Sequence, residues 1–168
     1  MEPDTVSRPL LPVGHICVGL FSRGDGKFHW SILLPFSTTH TYVYHATNLY
    51  GGGWIHELQV RNVHDWLTTC AVIRLSGPTG LTSPETLNDL LNIKYISMDT
   101  PTTDPPEPFT CRVWVRKAIR VLHGSGYINC PNAIALEDEL RAFGEAQDPA
   151  TITGCGYSLV DASIAPRA

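Results

Sequence analysis

From His15 onward, apolar positions fall first in short runs and then at helical spacing. His15 to Phe21 is a brief apolar run that predicts a first strand, and Arg23-Gly24-Asp25-Gly26-Lys27 predicts a hairpin turn. Phe28 to Leu34 predicts a second strand by alternation. Phe28, Trp30, Ile32 and Leu34 share one face, and His29, Ser31 and Leu33 share the other. Pro35 ends it, and Thr41 to Thr47, rich in β-branched and aromatic residues, predicts a third strand. Beyond the turn Gly51-Gly52-Gly53, Trp54 to Val60 and Cys70 to Leu75 predict a fourth and a fifth. Short turns between successive strands predict an antiparallel meander.

The period then changes. Ser83-Pro84-Glu85 carries the marks of a helix start, with that helix running to about Leu91, and Ile93 to Met98 predicts one more strand. After a proline-rich connector, Trp114, Val115, Ala118, Ile119 and Leu122 form one face of a helix that Thr110 caps, Cys111 opens and Gly124 stops. Arg112, Arg116, Lys117 and Arg120 fall opposite and predict a solvated basic face. Asn132 caps a last helix expected to end near Gly144. The expected organisation is an arm over 1–12, one domain over 13–147 and a weakly patterned tail over 148–168. The fold class is α+β, with an antiparallel β-sheet of about five or six strands and the cysteine-bearing helix packed on one face.

Composition narrows the class. With 168 residues, 43% hydrophobic and 17% charged, the chain can bury a core as one domain. A net charge of −4 offers no nucleic-acid groove, and no apolar run reaches the length of a membrane span. The acidic start Met1-Glu2-Pro3-Asp4 lacks the apolar core of a secretory signal. Five widely spaced cysteines predict reduced thiols and a cytoplasmic setting. The absence of Cys-x-x-Cys or His-x-x-x-His spacing predicts no metal site. Gly51-Gly52-Gly53 leads into no Lys-Ser/Thr, so no phosphate loop or cofactor is expected.

What remains is a thiol and several imidazoles. Cys111 sits where free backbone N–H groups and the helix dipole favour a thiolate. His29 and His45 lie on neighbouring predicted strands, close enough to hydrogen-bond if they share a face. A helix packed across that face would bring Cys111 to His29, giving a Cys–His–His set. His56 or Glu57 could orient His29 in place of His45; the two point to opposite faces, so at most one competes. A separation of about 4 Å between the Cys111 sulfur and a His29 nitrogen marks such a dyad, and placement on opposite sides of the sheet excludes it.

Three motifs carry a resemblance. His29-Trp30-Ser31-Ile32-Leu33 resembles the His-Trp strand of the lecithin:retinol acyltransferase-like proteins. Tyr42-Val43-Tyr44-His45 resembles their next histidine strand, and Cys111, with Trp114 and Val115 after it, resembles their nucleophile. Those proteins form the circularly permuted branch of the NlpC/P60, papain-like superfamily, whose order is also His, His, Cys. The layout is similar, too, to uncharacterised fungal proteins of about this length, a likeness that brings no activity with it. The resemblance implies a permuted papain-like sheet, with Cys111 as nucleophile, His29 as general base and acid, and His45 as orienter. It implies cysteine-dependent acyl chemistry (amide or thioester hydrolysis, acyl transfer or cyclisation) on a small-molecule or peptide acyl substrate. Thr110 and Val113 depart from the Asn and His that flank the family's cysteine, and no C-terminal apolar anchor follows. Two other functions fit the same residues: a non-catalytic papain-like domain binding a peptide or small molecule, and an isomerase or cyclase that uses the histidines alone.

Overall fold

The computed structural model describes residues 8–92, 96–99 and 107–163. Its strands are β1 (His15–Ser22), β2 (Phe28–Pro35), β3 (His40–Thr47), β4 (Ile55–Asn62), β5 (Thr69–Pro78) and β6 (Ser158–Asp161). Its helices are α1 (Glu85–Leu91), α2 (Cys111–Gly124) and α3 (Ala133–Ile152). The architecture is α+β, and no described helix is long and apolar enough to cross a membrane.

One six-stranded sheet runs in the order β4-β3-β2-β1-β5-β6. The meander β1 to β4 is antiparallel, as its short turns require, and β5 pairs antiparallel to β1 on the other side. The expectation of a wholly antiparallel sheet needs one correction: β6 pairs parallel to β5. Residues 148–161 are therefore not a loose tail. They complete α3, return and close the sheet edge, where Arg74 Nε meets Asp161 Oδ1 at 2.5 Å. The strand expected at Ile93–Met98 falls partly outside the described residues, and Ile96–Met98 is not strand. Of the arm, residues 8–12 are described: Leu11 is buried, and Pro9 accepts from Tyr157 and His64.

The apolar face of α2 settles on the stripe Phe28, Trp30, Ile32 and Leu34 of β2 and joins β1, β5 and α3 in the main core. The reverse face of the sheet holds a smaller core of Leu11, Cys17, Phe21, Leu33, Val43, Val63, Val72 and Tyr157. α3 runs on past Gly144 to Ile152, and that glycine marks a close approach. A Cβ there would come within 2.9 Å of Leu20 Cδ1 and 3.0 Å of Phe28 Cζ. Helix propensity alone favours Gly144→Ala by about 1 kcal/mol. Both neighbours are buried in the core, so a methyl there overpacks it, at a cost of about 1–3 kcal/mol. The substitution is expected to lower the urea midpoint, against the usual sign for glycine in a helix.

The basic face of α2 is solvated only in part: Arg120 is exposed, but Arg116 and Arg112 turn to carboxylates. Arg116 is only 3% exposed and meets Glu137 of α3, at 2.8 Å from Nη2 to Oε2, and Glu107 at 2.5 Å. Arg112 joins the same two carboxylates, 2.6 Å from Glu137 Oε1. Two guanidiniums and two carboxylates thus neutralise each other at the start of α2. Arg112 is committed there rather than free to hold a thiolate.

Candidate active site

The site begins where the β2–β3 ladder opens. Pairing between these strands extends from Pro35↔Thr41 to Ile32↔Tyr44 and goes no further, although β3 stays paired with β4 as far as Thr47↔Ile55. Continuing the register would set His45 opposite Ser31, with His29 as its diagonal neighbour. Side chains can span that diagonal when they are long or aromatic. Across the opening the two rings meet edge to face with centroids 4.9 Å apart, and His29 Nε2 lies 2.6 Å from His45 Nδ1.

On the other side of His45, Nε2 is 2.9 Å from Glu57 Oε1, across the β3–β4 pair His45↔Glu57. Gln59, two residues along the same face of β4, donates to that same oxygen, and Arg61 donates to Gln59 Oε1 at 3.1 Å. His56 points to the opposite face, stacks near Trp114 and bonds Asn88 Oδ1 at 2.8 Å. It takes no part, so the orienting chain runs from Glu57 through His45.

Proton bookkeeping gives this chain a direction. An ionised carboxylate only accepts, so His45 Nε2 carries the proton and its Nδ1 holds a lone pair. His29 Nε2 therefore donates to His45, which leaves the His29 Nδ1 lone pair as the open end of the relay. That nitrogen makes no hydrogen bond among the described residues, yet it is not sealed from solvent.

The charge states agree with this. Burial, with lesser effects from His45 and Arg23, lowers His29 from an ordinary 6.5 to about 4. Burial also lowers His45, against opposing contributions from Glu57. Burial would raise Glu57, but hydrogen bonds from His45 and Tyr50 outweigh it and hold the carboxyl below its ordinary range. At neutral pH the relay is carboxylate, imidazole, imidazole, with an unprotonated base at its tip.

A stability prediction follows. Above pH 6.5 His29 is neutral whether folded or unfolded. Between 6.5 and about 4 only the unfolded chain takes the proton, so stability falls as pH falls. The His29 contribution to that loss is on the order of 2–3 kcal/mol, complete near the folded value. His45 and Glu57 act in the same direction. Urea midpoints at pH 7.5 and 4.5 measure the slope, which His29→Leu is expected to flatten.

No family model, curated protein or solved structure matches this chain.

The relay lines a cleft of 520 Å3 on the face of the smaller core, walled by Phe21, Trp66, Trp54 and Leu49. The Phe21 and Trp66 rings stack with centroids 3.9 Å apart. Cys111 lies elsewhere. Its helix is capped as expected, with Thr110 Oγ1 accepting from Val113 N, but the thiol packs with Phe28 and Trp30 and is 3% exposed. His29 leaves β2 on the opposite face, level with Phe21. Cys111 and His29 make no hydrogen bond, so the expected thiol–imidazole pair is not formed.

Cys111 instead lines a second cleft, of 530 Å3, which shares Arg23, Asn48 and Trp54 with the first. Arg23 Nη2 stands 4.0 Å from Cys111 Sγ. Cys17, Cys70 and Cys130 are buried, while Cys155 is exposed. The four remaining histidines are held by other bonds: His15 to Ser76 O, His40 to Thr39, His64 to Pro9 O and His123 to Cys130 N. Among the described residues no three His, Cys, Asp or Glu side chains converge as metal ligands.

Proposed function

We propose that the protein is an enzyme of general acid–base type in which His29 moves the proton and His45 and Glu57 hold it in the required tautomer. The observation that carries this reading is a His29–His45–Glu57 relay, anchored by a carboxylate, whose His29 end lines an aromatic-walled cleft. A neutral imidazole there can take a proton from a C–H, O–H or water and return it to a neighbouring atom, which is the chemistry of an isomerase or cyclase. Glu57 stabilises the imidazolium formed part-way. The cleft size suits a small, partly apolar substrate.

The second reading is cysteine-dependent acyl chemistry on a permuted papain-like fold, with Cys111 as nucleophile and a proton acceptor other than His29, which leaves β2 on the opposite face. It is favoured by the rim common to the two clefts and by Arg23, which reaches the sulfur from that rim.

Two chromogenic probes separate them. In 5-nitrobenzisoxazole a base removes one C–H proton as the ring N–O bond breaks, releasing a phenolate. On the first reading His29→Ala removes this activity and Cys111→Ser leaves it within about twofold. With p-nitrophenyl butyrate the second reading expects a nitrophenolate burst and a butyryl adduct on Cys111, both lost in Cys111→Ser and kept in His29→Ala. Elimination that survives His29→Ala overturns the first reading.

A further inference from the structure

We propose that Arg23 is the substrate anchor of this site and that the substrates carry a carboxylate beside an apolar portion. The proposal rests on reading the His29 cleft as catalytic, and it names the class of molecule that fits there. Arg23 lies just past β1, on the tip of the β1–β2 hairpin. That tip is fixed by Arg23 N donating to Lys27 O at 3.0 Å and by Lys27 N donating to Asp25 Oδ1 at 2.9 Å. The turn uses Gly24 and Gly26 at φ near +80°, a conformation other residues enter at a cost, so the base of the arginine is held in place.

Three observations converge on it. Arg23 lines each of three adjoining clefts: that of Cys111, that of His29, and a third of 410 Å3 between the hairpin and the end of α3. No carboxylate among the described residues pairs with it, although the chain has more acids than bases and Arg112, Arg116, Arg74 and Arg141 all have acidic partners. Its polar contact is instead the Cys111 sulfur, a weak acceptor that an incoming carboxylate would replace. The surroundings are mixed: Lys27, Arg141 and Glu145 line the Cys111 cleft, while Leu49 is 84% and Leu67 73% exposed at the rims and the Phe21–Trp66 pair walls the His29 cleft. A planar fork set among exposed apolar side chains suits a carboxylate on a hydrocarbon chain better than it suits water.

The test uses ligands and reagents that differ only in charge. Calorimetric titration with hexanoate and with hexanamide should show the carboxylate binding about tenfold more tightly, a difference that weakens with salt. Arg23→Gln should bring the two together and Arg23→Lys should restore part of the preference. Iodoacetate and iodoacetamide, in which the thiolate displaces iodide, report on the same corner. At Cys111 the ratio of iodoacetate to iodoacetamide rate should exceed that at exposed Cys155 by about tenfold, and only in the presence of Arg23. Equal ratios at the two thiols, a hexanoate preference that persists in Arg23→Gln, or a Cys111 that resists both reagents while Cys155 reacts would overturn the proposal. His29→Ala is expected to leave the charge preference intact. If the elimination assay fails while this preference stands, the failure belongs to the catalytic reading and not to the anchor.

Discussion

His29→Ala is expected to lower proton-transfer turnover by about 10²–10⁴-fold, the range over which a positioned general base acts. The loss should fall on kcat more than on KM, because the imidazole supplies little of the cleft wall and works mainly as the proton moves. His45→Ala should cost less than His29→Ala but more than Glu57→Gln. Without His45, His29 Nε2 loses its 2.6 Å acceptor and the ring is free to turn or change tautomer. With glutamine at 57 an oxygen can still accept from His45 Nε2, and only the charge that steadies the imidazolium is lost. Combining His45→Ala with Glu57→Gln should add little to His45→Ala, since Glu57 acts through His45.

The pH profile separates a catalytic from a merely structural His29. Turnover should hold from neutrality down to about pH 5 and fall as His29 takes its proton near its folded value of about 4. Glu57→Gln should shift that limb further down, because Glu57 is the influence that raises His29. Loss of activity with no shift in the limb across this series would leave the histidines a packing role and sink the relay.

Much of this arrangement was legible in the chain. The alternation in Phe28–Leu34 and the 3.6-residue stripe after Cys111 are each long and regular, and each forms the element it implies. The placement of the thiol with the histidines failed for a reason also written there. The helix was expected on the histidine face of β2, which offers only Ser31 and Leu33, whereas the other face offers Phe28, Trp30, Ile32 and Leu34. An apolar stripe as broad as that of α2 packs where more apolar area is buried, so alternation turns His29 away from Cys111. The end of the chain misled differently. Gly144 read as a stop, yet it is a point of close packing, and α3 continues through Pro149 to Ile152. β6 has only four residues and forms by pairing with β5, which no local pattern announces. Arg23 lay in a turn that could be recognised only as a turn. Its position among three clefts depends on the whole fold.

The four charges at the start of α2 carry the largest expected effect on stability. Glu137→Ala should cost about 3–5 kcal/mol, because it leaves the buried Arg116 guanidinium with Glu107 as its remaining carboxylate of the pair. For a chain of this size that is a fall in Tm of about 10 °C. Glu107→Ala should cost clearly less: its side chain is 23% exposed, so water can replace part of what it gives, and Glu137 still neutralises the inner arginine. The double change Arg116→Met with Glu137→Met tests whether the cost is that of a buried charge deprived of one of its carboxylates. It should recover most of the stability, since removing both members of a buried pair is often neutral or better. Recovery would also show that α2 can be held against α3 without the ion pairs. If Glu137→Ala costs under about 1 kcal/mol, Arg116 must reach water in solution, and the sealed packing of α2 on α3 would be wrong at this point. Arg112 follows Cys111 directly, so the same variants should alter the alkylation rate at Cys111 while leaving that at Cys155 unchanged.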